Sequence, residues 1–118
     1  NYKDVFEPQN APKLNYGVTT TKYTGSRGKI GSNDASAEFT GKIRKIFNDN
    51  KVIWQTGELG KVDVGGGGTV AQFVANLNIE TIDCGVALLS MHSPGEISSK
   101  LDVYMTYKAY KSFFNNCD

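Results

Sequence analysis

The sequence predicts an α/β domain in which strands and helices alternate. Three observations carry that expectation. Short runs rich in β-branched and aromatic residues recur along the chain, stretches of helical period lie between them, and glycine-rich loops separate the two. Such alternation predicts parallel strands joined by right-handed crossovers, with functional sites beyond the carboxyl ends of the strands.

Residues 1–16 are polar, and Pro8 and Pro12 interrupt regular structure, so this segment reads as a surface connection ahead of strand–helix units over 17–118. Residues 17–24 are rich in threonine, valine and tyrosine and predict a strand; residues 25–31 read as a glycine-punctuated loop. Ser32 or Asn33 is placed to cap a first helix, with Asp34 and Glu38 near its positive end. Ala35, Phe39, Ile43, Ile46 and Phe47 then recur at spacings of three and four, and Asn48-Asp-Asn50 ends the helix. Residues 52–56 form a compact strand pattern. A loop follows, with four consecutive glycines at 65–68, and Thr69 opens a second helix with Val70, Phe73, Val74 and Leu77 on one face. Residues 79–89 read as a third strand region broken near Cys84 and Gly85. The last helix, over 97–115, is apolar on two sides: Val103, Tyr107, Tyr110 and Phe114 on one, Leu101, Met105, Ala109 and Phe113 on the other. That pattern predicts a helix held between a sheet and another element.

Composition narrows the function. The 118 residues suit one domain or a piece of a larger one, and 13 basic against 12 acidic residues leave a net charge of +1. Nucleic acid and anionic membrane both demand a concentrated basic patch, so neither is an expected partner. No apolar run approaches the roughly 20 residues that span a bilayer. Cys84 and Cys117 fit neither a disulfide framework nor a CxxC spacing and read as reduced thiols of an intracellular protein.

Three loops could carry chemistry. His92, the only histidine, lies in residues 90–96 after the third strand region, where imidazole can bind a metal or act as a base, or serve as a hydrogen-bonded structural residue. The glycine run at 65–68 precedes a helix, so its N–H groups could cradle a carboxylate or carbonyl; a plain flexible turn is the other reading. Lys22, Arg27 and Lys29 form either a solvated face or a cationic pocket for a substrate carboxylate. Glu58 and Glu96 lie in the remaining loops as caps or solvated carboxylates, and Glu96 could alternatively orient His92.

Taken together, Thr24-Gly-Ser-Arg-Gly-Lys29, Ser32-Asn-Asp-Ala35, Gln55-Thr-Gly-Glu-Leu-Gly60, Gly65-Gly-Gly-Gly-Thr69 and above all Ser90-Met-His-Ser93 with Glu96 resemble the C-terminal part of the aminopeptidase I / aspartyl aminopeptidase family of dinuclear zinc exopeptidases. The resemblance implies a three-layer α/β/α sandwich of the zinc-exopeptidase kind, built on a mixed sheet. It implies two zinc ions, replaceable by cobalt or manganese, and a metal-activated water that releases N-terminal residues from a peptide substrate. A cytoplasmic homo-oligomer is also implied. Residue by residue, His92 falls on the last metal ligand and Glu96 on an acidic position behind it. Gly66, Gly67, Gly68 and Thr69 fall at the substrate cleft, and Lys22 near a lysine that meets the substrate side chain in acid-preferring members.

No catalytic residue is implied in this chain, because the family's general base and other ligands would precede Asn1. The chain is therefore expected to be a fragment that needs the missing N-terminal part of the catalytic domain and is inactive alone. The alternative expectation is a non-catalytic α/β remnant or interaction module of the same fold.

Overall fold

The computed structural model describes residues 4, 7–27, 30–61 and 63–117. The expected lead segment is therefore described only in part, and Lys29 of the cationic cluster lies outside the described residues. The elements in order are β1 (Val18–Thr21), β2 (Tyr23–Ser26), β3 (Ile30–Asp34), α1 (Ala37–Asp49), β4 (Trp54–Thr56), α2 (Ala71–Ala75), β5 (Asp83–Gly85), β6 (Leu88–Leu89), β7 (Ile97–Ser98) and α3 (Lys100–Asn116).

β1 is the middle strand of a three-stranded sheet ordered β4-β1-β5. Val18 pairs with Trp54 in parallel, as the β1–α1–β4 alternation requires. β5 corrects the all-parallel expectation: it runs antiparallel to β1, with Thr21 opposite Asp83 and Thr19 opposite Gly85. The cause lies in the connection. The segment leaving β4 returns to the sheet at Asp83, opposite Thr21, at the end where it left beside Thr20. A chain that re-enters at the same end must run back.

α1 forms where its apolar stripe predicts, but its cap differs. Ser36 Oγ accepts the Phe39 N–H at 3.1 Å. Ser32 and Asn33 are instead part of β3, where Asn33 pairs with Thr24 across a hairpin. Residues 25–31 thus belong largely to a β2–β3 hairpin, not to a loop. Ile43, Ile46 and Phe47 of α1 meet Val18, Val52 and Ala109 in one buried cluster, with Phe39, Trp54 and Phe113 packed against it. α1 and α3 therefore cover the same face of the sheet. α3 begins three residues later than expected, after β7. Its inner face carries Asp102, Met105, Ala109 and Ser112. The side bearing Val103, Tyr107, Tyr110 and Phe114 stays exposed, so the expected second covering layer is not seen on it.

One buried carboxylate joins these parts. Asp102 has no solvent exposure, and its two oxygens accept the N–H groups of Asn15 at 2.9 Å and Gly17 at 2.8 Å. Ser99, which caps α3, donates its hydroxyl to Asn15 Oδ1 at 2.6 Å. Gly17 is required there: its φ is +88°, and a Cβ would lie 2.1 Å from the Ile53 carbonyl oxygen. Asp102→Ala would strand one buried and one part-buried N–H donor, so we expect a loss of about 3 kcal/mol in urea denaturation, with Asp102→Asn, which keeps one acceptor oxygen, losing less.

Candidate metal and substrate residues

His92 sits at the tip of the β6–β7 hairpin, in which Leu88 pairs with Ser98 and Leu89 with Ile97. The tip is unusual backbone: Ser90 and His92 both have positive φ, +58° and +67°. Such conformations cost L-residues free energy and persist only when the surroundings hold them. Here the hairpin holds itself. The His92 N–H donates to Glu96 Oε1 at 2.6 Å, the Ser93 N–H to the Ser90 carbonyl at 3.0 Å, and the Ser93 hydroxyl to the Gly95 carbonyl at 2.7 Å. Glu96 thus grips the main chain of His92 and leaves the ring alone. The imidazole is exposed and has no hydrogen-bond partner among the described residues.

These residues do not by themselves make a metal site. Among the described residues no group of three or more His, Cys, Asp or Glu side chains could hold an ion. Zinc requires about three protein ligands, and His92 offers one. The donor set of this chain alone does not fit a bound metal.

The glycine loop packs elsewhere. The Gly25 N–H donates to the Gly67 carbonyl and the Arg27 N–H to the Gly65 carbonyl, both at 2.9 Å, so the loop lies along β2 as an improvised strand. Gly66 has φ +86°, and a Cβ there would meet the Gly25 carbonyl oxygen at 2.5 Å. The N–H groups of Gly66, Gly67 and Gly68 donate to no acceptor among the described residues. Thr69 does not itself enter a helix; its hydroxyl accepts the Ala71 N–H at 3.3 Å as α2 begins.

Lys22 stands between β1 and β2 and forms an ion pair with Asp34, the last residue of β3. Glu58 lies just beyond β4, where the Gly57 N–H donates to the Thr20 carbonyl. Burial pushes the Glu58 carboxyl above its ordinary 4.5; the Asp34 carboxylate adds to this and the Lys22 ammonium opposes it. Lys22, Asp34 and Glu58 thus form one electrostatic group that sequence reasoning missed. Its only signal was the carboxylate at 34, which the sequence pattern assigned to a helix start.

The three loops do not all gather at one end of the sheet. Those after β1 and β4 do. The His92 hairpin follows β5, which runs the other way, and its stem leads into Ser99 at the amino end of β1. No hydrogen bond or ion pair among the described residues joins residues 90–96 to the glycine loop. An apolar hollow of about 210 Å³ lies between α1, α3 and β5, lined by Phe39, Ile43, Ile82, Cys84 and Phe113 among others. It is a packing hollow and touches neither group. Burial raises the Cys84 thiol to about 12, which keeps it unreactive.

A mixed α/β unit with a free imidazole on a braced hairpin and a glycine loop beside a charged cluster defines a class that comparison identifies. Residues 1–114 match the family described as aminopeptidase I zinc metalloprotease (M18), and the chain belongs to that family. It is 60% identical over 111 residues to a probable M18 family aminopeptidase 1 of Thermotoga maritima, covering 94% of this chain and 25% of that protein. A protein of the same description from Clostridium acetobutylicum is 53% identical over 116 residues, covering 98% and 25%. The fold superposes on the crystal structure of the Thermotoga maritima M18 aminopeptidase with a TM-score of 0.87 at 59% identity, over 94% of this chain and 25% of that one. For aminopeptidase I of Clostridium acetobutylicum the TM-score is 0.89 at 53% identity, over 98% and 25%. The chain therefore spans about a quarter of the length of these relatives. Among the described residues, no helix is long and apolar enough to cross a membrane.

The raised Glu58 carboxyl makes a pH prediction. A carboxyl whose folded pKa exceeds its unfolded value supports stability below the unfolded value, and that support is lost as pH rises through the folded one. Glu58→Gln should therefore raise the melting temperature at pH 7, by a small amount because the group is only partly buried. The gain should vanish below pH 4.5, as paired thermal melts at pH 7 and pH 4 would read.

Proposed function

We propose that this chain is the C-terminal quarter of the catalytic domain of a zinc aminopeptidase and contributes one metal ligand and part of the substrate cleft. The observation that carries the reading is the match over residues 1–114 to a zinc metalloprotease family, in a chain whose single histidine presents an imidazole with no partner among the described residues. In this reading His92 is one ligand of a two-zinc centre, which cobalt or manganese could occupy instead. The other ligands and the general base come from the remainder of the protein. When bound, the metals would supply an activated water for attack on the first peptide bond. Glu96 fixes the main chain that carries the ligand. The N–H groups of Gly66, Gly67 and Gly68, with Thr69, border the substrate, and Lys22 faces its N-terminal residue.

The same reading makes residues 1–16 a surface connection and 17–118 the strand–helix part of a three-layer α/β/α sandwich. α1 and α3 form one outer layer. The full protein is a cytoplasmic homo-oligomer acting on peptides, in keeping with two free thiols. In the full-length protein His92→Ala should lower metal content measured by mass spectrometry and reduce hydrolysis of leucyl p-nitroanilide by more than about 100-fold. Circular dichroism should remain unchanged. Full activity and full metal content in that variant would overturn the reading.

A further inference from the structure

α3 carries more apolar surface than the sheet can cover. Its inner side, with Met105 and Ala109, is buried, while Val103 (51% exposed), Tyr107 (58%) and Phe114 (78%) lie outside. The outer residues are not scattered. Val103, Tyr107, Tyr110 and Phe114 recur at spacings of four and three, so they share one side of the helix. That side runs into the apolar hollow between α1, α3 and β5, because Tyr110 and Phe114 line the hollow as well, together with Phe39 and Val74. The Tyr110 hydroxyl donates to the Cys84 carbonyl at 2.9 Å and holds the ring toward β5. Stripe and hollow thus form one continuous apolar surface. A single exposed apolar residue is ordinary, but a contiguous surface of this kind marks a contact.

We propose that an apolar segment with carboxylates at its edge, from the remainder of the same polypeptide, lies along this side of α3 and places an apolar side chain in the hollow. This rests on the reading of the chain as one part of a longer aminopeptidase. Length and charge choose the occupant. The chain covers 25% of each of its relatives, so most of such a polypeptide lies outside it and must pack against it somewhere. α3 carries Lys100, Lys108 and Lys111, and its one acid, Asp102, is buried and committed to Asn15 and Gly17. The Lys111 ammonium stands 6.0 Å from the centre of the Tyr107 ring, at the border of the stripe. A second copy of this chain would bring the same cationic border against itself in a two-fold contact, which like charge disfavours. A segment edged with carboxylates meets it favourably. The hollow, about 210 Å³, exceeds the roughly 150 Å³ apolar cavity that takes up a benzene ring, so it has room for an aromatic or branched side chain.

The test uses the full-length protein that carries this chain. On a bare helix surface Tyr107→Glu is neutral or slightly stabilising, because glutamate is a good helix former and pairs with Lys111 four residues on. Under a covering segment the same change buries a charge, so the sign of the effect separates the two cases. We expect Tyr107→Glu to lower the melting temperature by at least about 5 °C and Tyr107→Phe to leave it unchanged. In the native protein, a carbodiimide that joins amines to carboxylates should link Lys111 to an aspartate or glutamate outside this chain, in the product that keeps the mass of one polypeptide. Peptide mass spectrometry reads the linked pair. A melting temperature unchanged or raised by Tyr107→Glu overturns the inference. So does a Lys111 link found only in a product of doubled mass, which would put a second copy there. Either failure leaves the aminopeptidase reading untouched, because that reading is measured by metal content and hydrolysis of leucyl p-nitroanilide in the native protein.

Discussion

Asp102 is held without solvent between the N–H groups of Asn15 and Gly17, in the first turn of α3. A carboxylate in such a place is tolerable only because donors and a helix N-terminus meet it from both sides. That requirement organises the chain. The two donors fix the path into β1, and Gly17 permits that path because a Cβ there would lie 2.1 Å from the Ile53 carbonyl oxygen. β1 is then the strand on which β4 and β5 align. Through Ser99 and Asn15 the same contact anchors the stem of the His92 hairpin. Central strand and His92 hairpin thus share one polar anchor, and a change at 102 is felt by both.

The hydrophobic cluster works in concert with it. Val18, at the start of β1, is fully buried among Ile43, Phe47 and Ala109, so the strand that Asp102 positions is also the strand on which both long helices pack. An apolar cluster sets no direction by itself, because burial depends on area and not on orientation. The hydrogen bonds at Asp102 supply the direction. α3 must place its N-terminal turn against residues 15–17, and Met105 and Ala109 then fall on the core side.

Some of this was legible in the sequence and some was not, for physical reasons. α1 and α3 were legible because Ile43, Ile46 and Phe47, and then Met105 and Ala109, recur at helical spacing. β3 was not: Ile-Gly-Ser-Asn-Asp has no alternation of apolar and polar residues, and Ile30 is left exposed. Only its pairing with β2 makes it a strand. The direction of β5 was equally hidden, because local pattern encodes that a strand forms and not which way it runs. At the site, His92 stood out as a single imidazole in a distinctive stretch. The Asp34 partner of Lys22 did not, since an acidic residue before a helical pattern has an ordinary explanation and the hairpin that brings it round was unseen.

The geometry of Glu96 sharpens what His92 can contribute. A histidine that ligates a metal is commonly oriented by a hydrogen bond from its second ring nitrogen. In this hairpin the nearest carboxylate is committed to the His92 main-chain N–H, where it offsets the cost of a positive φ. The backbone at 92 is therefore fixed while the ring is not. Neither ring nitrogen has a partner among the described residues, and any partner that sets the ring's tautomer and angle must come from outside residues 90–96. The hairpin supplies position and the surroundings must supply orientation. On the proposed reading of His92 as a ligand, one donor delivered in that way gains its affinity only when the other donors are already in place, so the metal centre would be a property of the whole catalytic domain and not of any single loop.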